Sequence, residues 1–457
     1  MIFTQYYLEC LSQASYLIGD ETTGRAVVVD PRRDTAEYVK DANAASLTIE
    51  LIIETHFHAD FLSGHLELSA ATGASIAYGE AATTEFPSRK LADGEHISLG
   101  EVELEVRATP GHTPESISIV VYEHAGDAIP YGVLTGDTMF IGDVGRPDLL
   151  ASVGRTPEEL AGQLHESLQT QLLTLPDATR VFPAHGAGSA CGKQLSTETV
   201  STIGEQRAVN YALAARSADE FVDLVTEGQS AAPAYFAHDA ALNRKQHRLL
   251  DESRKPESLT LEQVLELQQR GAAVLDTRDA GDFASGHVAG STHIGIDGRF
   301  AEWAGSLLDP ERAIVLVSRP GTELEAKNRL GRIGFDRVLG ALPDPERAFA
   351  ANPEVVRRGS RLTARALDER MATGEVTLVD VRSPGESALG TIPGAAAIPL
   401  NQLEAALDQF DPRRPIVVFC ASGYRSSTAA SLLRAAGFAD VSDLYGGYPG
   451  WSRDRTT

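Results

Sequence analysis

The chain has 457 residues, 42% of them hydrophobic and 23% charged, which is the composition of a soluble globular protein of about two to four domains. Its 64 acidic and 40 basic residues give a net charge of −24, and this charge disfavours nucleic acid and anionic membranes as partners. The N-terminus lacks the pattern of a secretory signal, and no stretch approaches the ~20 apolar residues of a membrane span. We therefore expect a cytoplasmic protein.

Strand-like and helix-like segments alternate along the first 185 residues. Strands are predicted at residues 25–30, 49–54, 75–79, 102–110, 117–123 and 131–137, and helices at 34–45 and 157–175. The second helix follows the start signal Thr156-Pro157. The alternation predicts a layered α/β sandwich.

Histidines and aspartates follow four of the strand-like runs. The motifs are THFHADF at 55–61, TPGHTPES at 109–116, LTGDTMF at 134–140 and FPAHGAG at 182–188. Histidine and carboxylate are ligands that iron, zinc and manganese share, and loops beyond strand ends are common places for sites. The motifs predict a metal centre built from His56, His58, Asp60, His112, Asp137 and His185.

The order and context of these motifs resemble the metallo-β-lactamase superfamily over about residues 1–245. In the binuclear hydrolases of that superfamily, such as glyoxalase II, the first motif reads H-x-H-x-D-H, and its last histidine helps to hold a second metal. Phe61 stands at that position, and a phenyl ring cannot ligate a metal. The remaining pattern resembles the persulfide dioxygenase branch, which binds a single ferrous iron.

That resemblance implies one Fe(II) per chain, held by His56, His112 and Asp137. Two histidines and one carboxylate form the facial triad of non-haem iron oxygen chemistry. His58, Asp60 and His185 would then orient the ligands or the substrate. The implied substrates are O2 and the persulfide of a small thiol such as glutathione, and the implied products are sulfite and the thiol.

Arg146 and the cysteines near these motifs have two readings each. Arg146 is predicted either to bind a substrate carboxylate or to be a surface arginine. Cys191, six residues beyond His185, either accepts a persulfide or packs beside glycines. Cys10 stands in an apolar, strand-like context, and we expect no role for it.

The chain repeats itself after a polar segment, residues 243–258, that we interpret as a linker. Residues 258–294 resemble residues 361–398, and the period is 102 residues when it is counted from Ser318 to Cys420. The predicted domains are residues 1–245, 246–355 and 356–457. The predicted fold class is thus α/β multidomain, with an N-terminal αββα metallo-β-lactamase-like sandwich followed by two rhodanese-like α/β domains.

The second copy carries the loop CASGYRSS, at 420–427, between a strand and a helix. Backbone N–H groups, the helix dipole and Arg425 favour a reactive thiolate at Cys420. Over about residues 360–454 this copy resembles the rhodanese sulfurtransferases. Cell-cycle phosphatases are the alternative, but their loop has five residues between cysteine and arginine, and this loop has four. The resemblance implies sulfur transfer by Cys420 and Arg425 within a loop formed by Ala421, Ser422, Gly423, Tyr424 and Ser426.

The first copy lacks this chemistry. Ser318 replaces Cys420, Pro320 replaces Ser422 and Glu323 replaces Arg425. These replacements remove the nucleophile, a backbone donor and the positive charge. We predict an inactive domain that acts as a spacer or docking surface.

The predicted function is a persulfide dioxygenase coupled to sulfane-sulfur transfer from or to thiosulfate and sulfite. One alternative is a binuclear zinc thioester hydrolase of the glyoxalase II type with an accessory rhodanese. A second is a sulfur-carrier or interaction protein whose metal is only structural. Homo-oligomers are common in the resembling families and are possible here.

Overall fold

A computed structural model describes residues 1–149, 154–229, 232–374 and 376–453 of the chain. The N-terminal part of the chain forms two sheets. The chain divides into two units, Met1–Asp251 with Gly331–Gly334, and Glu252–Leu330 with Phe335–Thr457. Within the described residues, no helix is both long enough and apolar enough to cross a membrane.

Each sheet of the first unit has six strands among the described residues. The first sheet contains, in spatial order, β1 (Ile2–Leu8), β2 (Gln13–Gly19), β3 (Arg25–Val29), β4 (Thr48–Ile53), β5 (Ser75–Gly79) and β6 (Arg89–Leu91). The second contains β7 (His96–Ser98), β8 (Glu103–Ala108), β9 (Ile117–Tyr122), β10 (Gly132–Gly136), β11 (Arg180–Pro183) and β12 (Ser201–Thr202).

The two sheets pack face to face between helices. Val27 and Val29 of β3 lie in the core between the sheets, whereas Ala26 and Val28 face the outer layer, because successive strand residues point to opposite faces. The αββα sandwich is confirmed. Its helices are α1 (Ala36–Ala44), α2 (His65–Thr72), α3 (Pro157–Ser167), α4 (Ile203–Val209), α5 (Ala218–Thr226) and α6 (Phe236–Leu242).

The predicted helix at 157–175 begins where expected, because the Thr156 hydroxyl accepts from the Glu159 N–H in a capping box. It continues past α3 as a π-helical turn, Leu168–Leu172. The hairpin of β1 and β2 was not predicted. Cys10 was expected in a strand, but it lies in the turn of that hairpin, where the chain reverses before β2.

The second unit contains the two repeats. The elements of the first are α7 (Leu261–Gln269), β13 (Ala273–Asp276), α8 (Ala280–Ser285), β14 (His287–Val288), β15 (Thr292–His293), α9 (Phe300–Leu307), β16 (Ile314–Val317), α10 (Glu323–Gly331), β17 (Val338–Leu342), α11 (Pro345–Ala351) and β18 (Val356–Arg357). Those of the second are β19 (Ser360–Leu362), α12 (Ala364–Ala372), β20 (Thr377–Asp380), α13 (Pro384–Ala388), β21 (Ala396–Ala397), β22 (Ile416–Phe419), α14 (Tyr424–Ala435), β23 (Val441–Leu444) and α15 (Gly447–Arg453).

The repeats build matching parallel sheets, with strand orders β15-β13-β16-β17 and β19-β23-β22-β20-β21. Both keep the same buried ion pair after the first buried strand. Arg278 pairs with Asp276 and donates to the Gly286 carbonyl, and the second copy repeats the arrangement with Arg382, Asp380 and the Gly390 carbonyl. The sequence repeat is therefore a structural repeat.

Candidate active sites

Three loops beyond strand ends meet at one buried point of the first unit. His56 follows β4, His112 lies between β8 and β9, and Asp137 directly follows β10. We call these three residues the metal triad, because their ligand atoms lie within 4.8 Å of one another. The Asp137 Oδ2 atom is 3.8 Å from His56 Nε2 and 3.5 Å from His112 Nε2.

The unpaired atoms of the triad fit a metal ion. Within the described residues, His56 Nε2 and both carboxylate oxygens of Asp137 have no hydrogen-bond partner. The other ring nitrogens are engaged, since His56 Nδ1 lies 3.0 Å from the Thr55 hydroxyl and His112 Nδ1 donates to the Arg146 carbonyl at 2.9 Å. Buried polar atoms without partners are costly, and a cation would satisfy all of them.

The protonation states also suit ligation. Burial lowers the pKa of His112 to about 4, and burial together with the neighbouring histidines lowers that of His56 well below its ordinary value. Both rings are therefore neutral near pH 7 and carry a lone pair. Burial raises the pKa of Asp137 to about 6, and a bound cation would favour its charged form further.

His58, Asp60 and His185 form a second cluster, also with ligand atoms within 4.8 Å. His58 Nε2, however, lies 3.1 Å from Asp30 Oδ1 and 3.5 Å from Glu54 Oε2. Burial alone would lower the pKa of His58, but these carboxylates raise it well above its ordinary value. A protonated imidazole cannot ligate a metal.

Phe61 borders this second cluster. Its ring is fully buried, with its centroid 4.3 Å from that of His58 and 6.5 Å from that of His185. An apolar ring therefore occupies the edge of the second cluster, where it offers no ligand atom.

Asn243 supports the first metal motif, although the sequence analysis assigned it to the linker. Its side chain is fully buried, and its amide donates to the carbonyls of His58 and Phe61 at 2.8 and 2.9 Å. Its amide oxygen accepts from the Ser63 N–H at 2.9 Å, and the Tyr235 hydroxyl donates to the Asp60 carbonyl at 3.1 Å. The linker prediction is therefore wrong at Asn243, because this residue is part of the site.

The loop after β22 encloses the Cys420 sulfur. We call residues 420–426 the persulfide loop. The Cys420 side chain is fully buried, the Gly423 N–H donates to Sγ at 3.1 Å, and the Ser426 hydroxyl lies 3.6 Å from Sγ. Gly423 has φ = +102°, a conformation that favours glycine. Because α14 starts at Tyr424, the sulfur also faces the positive end of a helix dipole.

Arg425 is paired with a carboxylate that the sequence analysis missed. Its guanidinium donates to both oxygens of Glu386 at 2.6 Å. These hydrogen bonds lower the pKa of Glu386 to about 2. The positive charge predicted beside Cys420 is thus present as one half of an ion pair.

Comparisons with known proteins identify the families of these domains. Residues 8–185 match the model of the metallo-β-lactamase superfamily, and residues 260–340 and 363–454 match that of the rhodanese-like domain. The human mitochondrial persulfide dioxygenase ETHE1 is 30% identical over 215 residues, 46% of this chain and 75% of that protein. The chain belongs to the metallo-β-lactamase superfamily. Two rhodanese-like domains follow its metallo-β-lactamase domain.

Two further relatives have different names. A hydroxyacylglutathione hydrolase of Rhodospirillum rubrum is 32% identical over 232 residues, 50% of this chain and 80% of that protein. A crystal structure described as a metallo-β-lactamase from Staphylococcus aureus subsp. aureus COL is 34% identical, covers 75% of this chain and 99% of its own, and has a TM-score of 0.67. The metallo-β-lactamase domain and its relatives imply a metal.

Arg146 and Cys191 both lie beside the triad of the metallo-β-lactamase domain. Cys191 has Sγ within 4.8 Å of ligand atoms of Asp137 and His185, and burial raises its pKa well above the ordinary value, so it is a thiol. The Arg146 guanidinium donates to Asp148 at 2.6 and 2.8 Å. Its predicted contact with a substrate carboxylate would therefore have to compete with Asp148.

Gly145 allows the segment that contains Arg146 to approach the triad closely. A Cβ atom at this position would lie 1.9 Å from the Asp137 carbonyl oxygen and 3.0 Å from His112 Nδ1. Only glycine leaves room for the contact.

A cavity of about 540 Å³ opens beside the metal motif of this domain. Phe57 and Ala59, which alternate with the histidines of the motif, line it together with Phe236. Arg244 and Lys245 add two cationic side chains to its wall, and the Arg244 guanidinium lies 4.5 Å from the centroid of the Phe57 ring. The cavity suits a ligand with an apolar body and an anionic group.

The first rhodanese-like domain has a hydroxyl where the second has its thiol. Ser318 directly follows β16, is buried, and has its hydroxyl 2.8 Å from that of Thr277. Glu323 begins α10 at the position that corresponds to Arg425. The prediction that this domain is inactive stays a prediction.

Proposed function

We propose that the chain is a persulfide dioxygenase joined to a sulfurtransferase. A single Fe(II) at the metal triad would support the reaction R–S–SH + O2 + H2O → R–SH + SO3²⁻ + 2H⁺. The observation that carries the proposal is that ligand atoms of two neutral histidines and one aspartate lie within 4.8 Å of one another, with His56 Nε2 and both Asp137 oxygens unpaired; this is the donor set of iron oxygenases. The persulfide dioxygenase named among the relatives supports it.

The residues around the triad bind and orient the substrate in this proposal. Phe57 and Ala59 cover the apolar body of the thiol and exclude water, and Arg244 and Lys245 attract its anionic group. His185, whose Nε2 is 3.4 Å from Asp137 Oδ1, lies beside that carboxylate. The iron, when bound, supplies open coordination positions and redox chemistry for O2 and the persulfide.

Cys420 carries the second activity. Its thiolate attacks the outer sulfur of thiosulfate, a Cys–S–S⁻ group forms, the S–S bond of thiosulfate breaks, and sulfite leaves with the electron pair. A small thiol then takes the outer sulfur and becomes the persulfide that the first site oxidises. In the reverse direction, sulfite accepts sulfur from Cys420 and leaves as thiosulfate. The Gly423 N–H and the α14 N-terminus stabilise the anionic sulfur.

Metal content and oxygen uptake test the first activity. Protein purified without oxygen should contain about one iron per chain, as a facial triad predicts, and should consume O2 and form sulfite when glutathione persulfide is added. Two zinc ions and no oxygen uptake would overturn the proposal.

A thioester hydrolase of the glyoxalase II kind is the second candidate. The hydrolase from Rhodospirillum rubrum and the second cluster favour it. It requires two metals and cleavage of an acyl-glutathione such as S-lactoylglutathione, and both Phe61 and the pairing of His58 with Asp30 weigh against the second metal.

A further inference from the structure

The helix behind the persulfide loop is covered by the first rhodanese-like domain. Tyr424 and Ser431 lie seven residues apart on one face of α14. The Tyr424 hydroxyl donates to the Gly295 carbonyl at 2.7 Å, and the His293 N–H donates to the Ser431 hydroxyl at 2.9 Å. The first domain therefore holds both the start and the middle of this helix.

Apolar contacts extend this attachment. The hydrophobic cluster that contains Cys420 is covered by Trp303 and Leu307 of α9, a helix of the first domain. The hydrophobic cluster that contains Cys420 thus packs against side chains of the first domain as well as those of its own.

The segment around Gly295, which accepts the hydrogen bond from Tyr424, is itself held in place. The buried Arg329 side chain donates to the carbonyls of Ile296 and Gly298, on either side of residue 297. A Cβ atom at Gly295 would lie 3.3 Å from the Tyr424 ring, so the ring fills the space available. Burial raises the pKa of Tyr424 above its ordinary value, which keeps the hydroxyl protonated and able to donate.

Tyr424 directly follows the residue that contacts the sulfur. The Gly423 N–H donates to Cys420 Sγ at 3.1 Å, and the left-handed φ of Gly423 directs that N–H into the loop. A side chain anchored one residue later limits how far this peptide group can turn. A hydrogen bond to a thiolate weakens steeply as its donor–hydrogen–acceptor angle becomes less linear. The hydrogen bond of Tyr424 therefore affects how strongly the Gly423 N–H stabilises the sulfur.

We propose that the first rhodanese-like domain positions the persulfide loop of the second through the hydrogen bond from Tyr424 to Gly295. Tyr424 is thus a positioning residue, and the first domain has a task more specific than that of a spacer or docking surface. The inference rests on the proposed sulfur transfer by Cys420.

The full-length Tyr424→Phe variant tests the proposal, because it removes the hydroxyl and keeps the ring. Two quantities are measured: kcat for sulfur transfer from thiosulfate to cyanide, and the pH dependence of Cys420 alkylation by iodoacetamide, followed on the Cys420 peptide by mass spectrometry. We expect kcat to fall about fivefold, the size of one lost hydrogen bond, and the alkylation midpoint to move to higher pH. Arg425 and Glu386 remain in place.

Two further variants complete the test. Tyr445→Phe is the matched control, because Tyr445 is 65% exposed in the same domain, and both quantities should keep their wild-type values. Gly295→Ala keeps every atom of Tyr424 but crowds its ring, and it should shift the alkylation midpoint in the same direction as Tyr424→Phe.

Each outcome decides one claim. A wild-type alkylation profile in both Tyr424→Phe and Gly295→Ala would overturn the positioning role. If Tyr424→Phe does not fold, Gly295→Ala alone decides. If the wild-type chain transfers no sulfur but the alkylation midpoint still shifts in the variants, the positioning role stands and the proposed sulfurtransferase function is wrong.

Discussion

At the scale of single residues, His58 and Phe61 are the side chains that weigh against a second metal in the proposal of a single iron. His58 is turned toward the carboxylates of Asp30 and Glu54, and the Phe61 ring lies against it. Asp60 and His185 supply the other ligand atoms of the second cluster. Two substitutions test contacts of single residues, one at Phe61 beside the second cluster and one at Glu386 beside Arg425.

Phe61→His adds an imidazole at the edge of the second cluster. We expect zinc content to rise above that of the wild type, because the new ring joins Asp60 and His185 with a third donor. Zinc and iron per chain are measured by elemental analysis, with Phe61→Leu as the apolar control. Equal zinc in the two variants would mean that the pairing of His58 with Asp30 also closes the second site.

Glu386→Gln breaks the ion pair with Arg425 and should lower stability in a pH-dependent manner. The pKa of Glu386 is about 2, below its ordinary 4.5. The charged form therefore stabilises the fold fully above about pH 4.5, and this contribution is lost as the pH falls toward 2. The gap between wild-type and variant urea midpoints should be largest at neutral pH and should narrow below pH 4.5.

Tryptophan fluorescence can follow the unfolding of the second unit, which contains Glu386 and Arg425, since both tryptophans, Trp303 and Trp451, lie in that unit. The exposed Glu404→Gln is the control and should show no gap. A gap that stays constant between pH 7 and pH 3 would contradict the assigned ion pair.

At the scale of elements, both sites consist of loops that follow buried strands. This is why the sequence could predict them: His56, Asp137 and Cys420 each follow an apolar run that reads as a strand. Asn243, Tyr235 and Glu386 follow no such run. They reach the sites through tertiary packing, and Asn243 lies 182 residues beyond Phe61, whose carbonyl it binds. The spacing of residues along the chain does not indicate a contact between positions this far apart in sequence.

Asn243→Ala tests whether the loop after β4 needs this support. The change leaves the buried carbonyls of His58 and Phe61 and the Ser63 N–H without their partner, and each unsatisfied group costs about 1–3 kcal/mol. We expect a lower unfolding temperature and weaker iron retention on dialysis against a chelator. Asn43→Ala, at an exposed position of α1, should behave as the wild type. Unchanged iron retention would show that the loop keeps its shape without Asn243.

At the scale of the whole molecule, the two proposed activities use different residues in different units. The metal triad lies in the first unit, and the persulfide loop lies in the second. The predicted order of an αββα domain and two rhodanese-like domains is confirmed at this scale. The sequence could not reveal how the first rhodanese-like domain contacts α14, because that contact uses a backbone carbonyl, which any residue supplies.

Asp137→Ala and Cys420→Ser should separate the activities. The first should lower oxygen uptake with glutathione persulfide by more than about 100-fold, since it removes a ligand outright and even outer residues of metal sites cost up to that factor. It should leave sulfur transfer from thiosulfate intact, and Cys420→Ser should do the reverse. Asp127→Ala and Cys10→Ser are matched controls. Loss of both activities in a folded variant would contradict separable sites.

The two rhodanese-like domains share one buried ion pair. Arg278 with Asp276 and Arg382 with Asp380 are the same arrangement, yet only the second copy also has a cysteine in its loop. A feature shared by a copy with the nucleophile and a copy without it belongs to the architecture of the domain. The molecule thus contains its own internal reference: among the differences between the two loops are Cys420, Ser422 and Arg425, where the first copy has Ser318, Pro320 and Glu323, and the proposed sulfur transfer depends on these differences.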